Sequence, residues 1–440
     1  MYIQRVNQES IIYSFERSFI STLLGPRRVG KSTLVGEYVK KYPERKWVLF
    51  NMDSQAERLR IEEGYLKRMI EEQALMRIGE IKLWVVIDEA QKCPALFDQI
   101  KALYDKHKDQ NILKFILTGS AHLNLHHLAA ESLAGRVQLL QLREFTLREM
   151  AQYVHPGIVI PRETAFNIIC VDDVAIVDKL LATVYEKLQP FNQVLLQALN
   201  EYLLWGGLPE VLQATNDNDR LLYLSNYFQT YLEKDIRAID QIGDLSLYRQ
   251  LMKIIAEQTG SLRDDKKIIE ALHCARNTLH KYRTYLAATL QYIDIYPYIV
   301  STVKRLIKSP KGYLTNNGLI SYLTDIHNED ILRTTGLIGH RLENWFLHEL
   351  QTWQDAIPKN HTNYFWRTAT GIEIDFVVTQ GQHIIPFEVT YSTQIQRQKV
   401  NHLLAFLKYE PKAKIGVYVY TGPFQYDHKL HILYLPVWMV

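Results

Sequence analysis

The sequence is poor in cysteine and lacks long apolar runs. Its only cysteines, Cys93, Cys170 and Cys274, are far apart and form no C-x-x-C pair. This spacing argues against a disulfide framework or a metal cluster and fits a reducing compartment. No stretch approaches the ~18 uninterrupted apolar residues of a membrane span, and the amino-terminal segment lacks the apolar core of a signal peptide. We therefore expect a cytoplasmic protein with no membrane partner.

The sequence also lacks a strong excess of charge. The 51 Lys and Arg residues against 48 Asp and Glu leave a formal net charge of +3. Any nucleic-acid-binding surface must therefore be local rather than global. At 440 residues the chain is too long for one hydrophobic core, so we expect several domains.

A glycine-containing loop between an apolar run and a helical pattern is the strongest motif. The run from Phe19 to Leu24 leads into Gly25-Pro-Arg-Arg-Val-Gly30-Lys31-Ser32. In the order strand, loop, helix, this G-x-x-x-x-G-K-[ST] spacing surrounds phosphates with backbone N–H groups. Lys31 would reach the β- and γ-phosphates, and the Ser32 hydroxyl would bind Mg²⁺. We predict an ATP site with Mg²⁺ as cofactor, formed by Gly25, Pro26, Arg27, Arg28, Val29, Gly30, Lys31, Ser32 and Thr33.

Two carboxylates end a later, fully apolar run. Leu83-Trp-Val-Val-Ile87 is typical of a buried parallel strand and is followed by Asp88 and Glu89. Behind a phosphate loop, Asp88 is predicted to hold Mg²⁺ and Glu89 to polarise the attacking water. The next apolar run would place Thr118 or Ser120 near the γ-phosphate, although a plain strand-to-turn boundary is the alternative. Alternating strands and helices predict a doubly wound α/β domain with a parallel sheet.

These residues resemble a group of prokaryotic AAA-like P-loop ATPases with a long C-terminal region of unknown function. The resemblance rests on the phosphate loop and on VVIDEAQKCP (85–94), LTGSAHL (117–123), LAGRV (133–137) and LREFTLREM (142–150). It implies ATPase activity and a lid-like helical segment around GGLPE (206–210) and YLEKDI (231–236). It also implies that Arg136 contacts phosphate, in cis or in trans. Spacing alone leaves Arg136 open as a surface or structural arginine.

A basic helical module is expected over residues 246–325. Three helices followed by an extended hairpin is the order of a winged helix-turn-helix. Residues 261–311 contain 10 Lys and Arg and 4 Asp and Glu, a local charge of +6 (10 − 4). Such an excess is typical of contact with a phosphate backbone, although a docking or dimerisation module is the alternative. The predicted DNA-facing residues are Arg276, Asn277, Lys281 and Arg283 on the recognition helix, and Lys304 and Arg305 on the wing.

The tail resembles the restriction-endonuclease-like PD-(D/E)xK fold in the order of its expected elements. A helix with Glu343 precedes strands carrying Asp375 and Glu388, and a helix and a further strand follow. The chemistry of that fold needs an acidic pair for Mg²⁺ and a lysine two residues after the second acid. The three carboxylates match, but Thr390 stands at the lysine position. Lys399 on the next helix could supply the cation, so an active nuclease and a degenerate, binding-only fold both stay open.

The expected fold class is therefore α/β, in four parts. They are a P-loop ATPase domain with a parallel sheet (1–150), a helical lid-like region (151–245), a winged helix-turn-helix (246–325) and a nuclease-like domain (326–440). The expected function is Mg²⁺-dependent ATP hydrolysis coupled to DNA binding. A nucleotide-gated signalling or scaffold protein whose tail binds a protein is the alternative. The expected partners are ATP and DNA, and assembly with further copies of the chain stays open.

Overall fold

The structure is a computed structural model that describes most of the chain. It covers residues 2–76, 82–109, 112–120, 133–169, 174–232, 244–299, 305, 308–357 and 360–440. Cys170, the predicted wing residue Lys304 and the side chain of Ser120 lie outside what is described. Within these ranges, no helix combines the length and the apolar character needed to cross a membrane.

The first sheet contains five parallel strands in the order β2-β3-β4-β1-β5, which confirms the predicted α/β fold with a parallel sheet. Strand β1, between β4 and β5, is buried along its whole length, because helices cover both faces of the sheet. The strands are β1 (Ile20–Gly25), β2 (Lys46–Asn51), β3 (Leu83–Asp88), β4 (Leu113–Ser120) and β5 (Val137–Gln141). The helices are α1 (Gln8–Arg17), α2 (Lys31–Lys41), α3 (Gln55–Glu62), α4 (Tyr65–Met76) and α5 (Ala95–His107).

A group of helices follows this sheet. The N-cap of the first helix is Thr146, which forms a capping box with Glu149, because each side chain bonds the backbone N–H of the other residue. Gly206, with φ of 70°, ends the fourth helix and lets the chain turn sharply into the fifth. The helices are α6 (Leu147–Val154), α7 (Phe166–Ile169), α8 (Val174–Leu188), α9 (Asn192–Trp205), α10 (Pro209–Gln213) and α11 (Asp217–Asn226), with a π-helical segment at Tyr227–Leu232.

The basic module consists of three helices and an antiparallel pair of strands. These are α12 (Leu245–Glu257), α13 (Asp265–Leu272), α14 (Arg276–Ala288), β6 (Tyr292–Pro297) and β7 (Lys311–Leu314). The strand pair is not a free wing, because Tyr296 and Pro297 of β6 also pair with Tyr364 and Phe365 in the tail. Two short helices, α15 (Asn317–Leu323) and α16 (Glu329–Thr334), complete this region.

The tail forms one mixed sheet together with β6 and β7. Eight strands follow the order β12-β13-β11-β10-β9-β8-β6-β7. The tail contributes β8 (His361–Arg367), β9 (Glu373–Gln380), β10 (His383–Thr390), β11 (Gly416–Tyr420), β12 (Gln425–Asp427) and β13 (Ile432–Pro436). Two helices flank it, α17 (Ile338–Ala356) and α18 (Arg397–Tyr409). The winged-helix and endonuclease-like assignments remain predictions.

One hydrophobic core extends through all four predicted parts. It includes Phe15, Leu199, Leu251 and Trp345, one from each part, together with the buried residue Val440. A separate apolar cluster fills the other face of the first sheet, between its strands and α5. The amino-terminal part of the chain is thus packed directly onto the tail.

Candidate functional site

The predicted phosphate loop lies between β1 and α2 and has the backbone such a loop requires. Gly30 has φ of 97°, a conformation that glycine adopts at little cost. A Cβ atom on Gly25 would lie 2.2 Å from the carbonyl oxygen of Leu142, so only glycine fits there. Arg28 has φ of 64°, which is uncommon for a residue with a side chain. Such geometry at a loop tip is often associated with ligand binding.

Lys31 is buried at the start of α2 and lies over this loop. Its Nζ donates hydrogen bonds to the carbonyl oxygens of Gly25 at 2.9 Å and Pro26 at 2.8 Å. The ammonium group is therefore held beside the backbone that would surround a phosphate. An ammonium on a flexible stem can turn from a carbonyl to a phosphate oxygen with little rearrangement.

Ser32, Asp88 and Thr118 meet at the carboxyl edge of the sheet. The Ser32 hydroxyl donates to Oδ2 of Asp88 at 2.8 Å, and the Thr118 hydroxyl donates to Oδ1. A hydroxyl and a carboxylate are hard oxygen ligands of the kind that Mg²⁺ prefers. No cluster of three or more His, Cys, Asp or Glu side chains suited to a metal occurs in the described part of the chain. A magnesium ion bound with a nucleotide needs no such cluster, because phosphates and water complete its coordination.

Glu89 follows Asp88 in a left-handed conformation, with φ of 54°. Its Oε2 accepts a hydrogen bond from the Gln91 side chain at 2.6 Å and lies 3.6 Å from the Lys92 ammonium. Lys92 also pairs with Asp53 at the end of β2. The predicted catalytic carboxylate is thus oriented by its neighbours at the wall of the cleft.

The phosphate loop opens into a cleft of about 550 Å³, a volume suited to a nucleotide. Its second wall is formed by Tyr2, Ile3, Phe145, Tyr153, Pro209 and Gln213, none of which was predicted as a site residue from the sequence. The predicted lid-like GGLPE segment supplies one part of this wall, because Glu210 of α10 lines the cleft and accepts a hydrogen bond from the Arg28 guanidinium at 2.6 Å. The aromatic and apolar side chains of the wall suit the base of a nucleotide.

Arg5 is a second feature that sequence analysis missed. It is buried and donates to the Val29 carbonyl of the phosphate loop at 2.8 Å. It also pairs with Glu149 at 3.0 Å and donates to the carbonyl oxygens of Arg143 and Glu144. No local pattern reveals this role, because every partner is distant in sequence.

The segment after β5 connects this site to the tail. The Leu147 N–H donates to Oε1 of Glu349 on α17 at 2.6 Å, and Arg143 pairs with Asp355 at 2.6 Å. Burial raises the pKa of Glu349 to about 8 despite the Leu147 N–H bond, which lowers it. Helix α17 is therefore held against the same segment that holds Arg5.

Arg136 lies away from the cleft of its own chain. Its Nε is 3.1 Å from Asp105 on α5, and its guanidinium lies over the Tyr104 ring. It is not among the residues that line the cleft. A contact between Arg136 and nucleotide in cis therefore gains no support, and the contact in trans stays a prediction.

The predicted DNA-facing residues do not share one surface. Arg276, Asn277 and Lys281 are exposed on α14, as expected. The prediction for Arg283 needs correction, because this residue is 5% exposed and its guanidinium pairs with Asp265. Arg305 donates to the Ile299 carbonyl at 2.6 Å and the Tyr364 hydroxyl at 2.8 Å, so it too is engaged within the protein.

The tail carboxylates are brought together, but lysines accompany them. Lys399 Nζ lies 3.2 Å from Asp375 and 3.0 Å from Glu388, between two adjacent strands. Burial alone would lower the pKa of Lys399, but the charges of Asp375 and Glu388 raise it. Lys311 of β7 contacts Glu343 at 3.8 Å and pairs with Glu373. Each of these carboxyl groups thus lies beside a lysine, and burial together with the charge of Asp375 raises the pKa of Glu388 well above its ordinary value.

Comparisons with known families agree with this geometry. Residues 17–151 match the model of an AAA domain, residues 196–330 match a domain of unknown function (DUF8612), and residues 338–439 match another (DUF4143). The AAA-domain match and the parallel sheet with its phosphate loop support an AAA-like P-loop ATPase that binds nucleotide.

Individual relatives add a likeness over most of the chain. The uncharacterized proteins Rv2008c of Mycobacterium tuberculosis and Mb2031c of Mycobacterium bovis are each 25% identical over 376 residues, which is 86% of this chain and 71% of theirs. Among solved structures, Aeropyrum pernix ORC1 in complex with DNA is 11% identical and covers 74% of this chain and 93% of its own, with a TM-score of 0.31. A TM-score this low carries no argument about function.

Proposed function

We propose that this protein binds ATP with Mg²⁺ and hydrolyses it. The observation that carries the proposal is the meeting of Ser32 and Asp88, with 2.8 Å between hydroxyl and carboxylate, beside a phosphate loop. Mg²⁺ would be held by these two oxygens and would neutralise charge on the β- and γ-phosphates. Lys31 would bind the same phosphates from the loop.

In this proposal, the other residues of the site orient the groups that bind Mg²⁺ and activate water. Thr118 holds the second oxygen of Asp88 and so fixes the carboxylate. Glu89 accepts a proton from the attacking water, and its position is set by the hydrogen bond from Gln91. The aromatic wall with Tyr2 and Tyr153 excludes water from the base.

ATP turnover by point variants tests this proposal. Lys31→Ala is expected to abolish nucleotide binding, whereas Glu89→Gln is expected to bind ATP but to lose about 10²–10⁴-fold in kcat, since it lacks a proton acceptor. Lys40→Ala, an exposed lysine on the same helix, is the matched control and should behave as wild type. Unchanged turnover in Lys31→Ala would refute the proposed site.

We further propose that the nucleotide site acts together with DNA binding by the basic module. The supporting observation is the local charge of +6 over residues 261–311 (10 − 4) in a chain of net charge +3. A nucleotide-gated scaffold is the second candidate, and the acids of the tail, which lie beside lysines, favour it. Retained ATP turnover with no DNA affinity at low salt would support the scaffold.

A further inference from the structure

The ion pairs of the basic module show which of its cations can meet a ligand. Arg283 and Arg263 both pair with Asp265, and Arg263 also pairs with Asp294 at 2.7 Å. Lys311 is buried against Glu373. These arginines and this lysine are engaged within the protein and cannot be the source of an exposed basic surface.

Five cations line one cleft: Arg263 and Lys267, which have acidic partners, and three others. Lys266 of α13, Arg276 at the start of α14 and Lys308 before β7 all line a cavity of about 750 Å³. Their side chains are exposed, and the described part of the chain offers no ion pair to any of them. We call this cavity the basic cleft and define it by these three residues together with Tyr296, which also lines it.

The acidic residues at this cleft do not cancel its charge. Asp265 is occupied by Arg263 and Arg283, and Asp264 caps α13 through the Lys267 N–H at 3.2 Å. Lys267, also at the cleft, makes only an exposed pair with Asp264 at 3.6 Å, and such pairs contribute little. The basic cleft is therefore a positively charged cavity whose acids already have partners.

The lining of the cleft combines cations with an aromatic ring. The three cations come from separate elements, so they can contact more than one phosphate along a strand. A half-buried aromatic ring, Tyr296, lies among them. Cations that follow a backbone, with an aromatic ring on which a base can stack, are the arrangement that binds single-stranded nucleic acid.

We propose that the basic cleft binds the phosphodiester backbone of a DNA strand and that the exposed face of α14 around Lys281 does not. This inference rests on the proposed DNA binding of the module but not on ATP hydrolysis. Lys266, Arg276 and Lys308 contact phosphates, and the Tyr296 ring stacks on a base.

Anisotropy titration of the full chain with a short labelled DNA strand tests the proposal. The slope of log K against log salt changes by about 0.7 for each phosphate contact on a single strand. Arg276→Glu, Lys266→Glu and Lys308→Glu should each weaken binding by about fivefold or more at roughly 0.1 M salt, and together they should reduce the slope by about 2. Tyr296→Leu should weaken binding by about tenfold without changing the slope, because stacking releases no counterions.

The matched control is Lys253→Glu, an exposed lysine on α12 of the same module that does not line the cleft. It should retain wild-type affinity, as should Lys281→Glu. Equal weakening by Lys253→Glu, or an unchanged slope in the triple variant, would overturn the proposal. Wild-type protein that hydrolyses ATP but binds no DNA at low salt would also overturn it and leave the ATPase proposal standing. DNA binding at the cleft without ATP turnover would support the proposal for the basic cleft and contradict the ATPase proposal.

Discussion

Arg5 and Glu149 form a buried ion pair, with 3.0 Å between Nε and Oε2 and side-chain exposures of 4% and 2%. The pair joins the amino-terminal segment to α6. Because Arg5 also donates to the Val29 carbonyl, it stabilises the backbone of the phosphate loop. The same arginine lies over the Phe145 ring at 4.8 Å, so packing and hydrogen bonding fix it together.

Removal of Arg5 should therefore destabilise the nucleotide-binding part of the chain. Arg5→Ala leaves Glu149 buried without its cation and the Val29 carbonyl without its donor. Breaking a buried pair in this way costs about 3–5 kcal/mol. Urea unfolding should show a lower midpoint than for Arg17→Ala, an exposed arginine on α1 that serves as control. Equal midpoints for the two variants would contradict this interpretation.

Glu349 should make stability fall as pH rises. Burial raises its pKa in the folded chain to about 8, above its ordinary value of 4.5. The stability that it contributes is fully present below the ordinary pKa and is lost as pH rises through the folded value, because the folded chain holds the proton more tightly. Both N–H bonds to Glu349 reach Oε1, which leaves Oε2 to carry that proton.

Glu349→Gln keeps an acceptor for Leu147 and Trp345 but cannot ionise. In wild type the free energy of unfolding should decrease between about pH 5 and pH 8. In the variant this decrease should be smaller by roughly 3 kcal/mol. Unfolding followed at several pH values measures this slope. Glu257→Gln, an exposed glutamate on α12, is the control and should keep the wild-type slope. A slope in Glu349→Gln equal to wild type would show that Glu349 is ionised throughout.

The tail is expected not to cut DNA. Lys399 Nζ lies 3.2 Å and 3.0 Å from Asp375 and Glu388, where a divalent ion between the carboxylates would have to bind. Thr390 has a neutral hydroxyl at the position of the usual lysine. Wild type and Asp375→Ala should therefore be equally inactive on plasmid DNA with Mg²⁺. Cleavage by wild type that disappears in Asp375→Ala would establish a nuclease.

Lys399 should instead matter for stability. Lys399→Met removes the cation that contacts the buried Asp375 and Glu388 and leaves Asp375 without its partner, so it should cost about 3–5 kcal/mol. Lys408→Met, on the same helix, is the control. Equal unfolding midpoints for these two variants would show that the carboxylates do not depend on Lys399.

The local motifs of the nucleotide site could be predicted because they are contiguous. Gly25 to Ser32 joins a strand to a helix within one short segment, and an apolar run places Asp88 at a strand end. The contact between Ser32 and Asp88 then follows from parallel topology, since β1 and β3 end at the same edge. The roles of these residues in catalysis stay predictions.

The other wall of the cleft could not be predicted in the same way. Arg5 and Glu210 contact the phosphate loop, and Tyr153 lines the cleft, only through tertiary packing, and no local spacing connects them. Arg283 is a different case, because a signal was present. It follows Leu279 by four residues and precedes Leu286 by three, so helical periodicity alone puts it on the buried face of α14.

Strand β6 belongs to two structures at once, since it pairs with β7 of the basic module and with β8 of the tail. Severing the chain at the predicted boundary between residues 325 and 326 would not release two self-sufficient halves. Each half would expose a strand edge with unpaired backbone donors and acceptors, and such an edge favours aggregation. Because β6 is hydrogen-bonded to β8, a movement of the basic module on ligand binding would also move the strands of the tail.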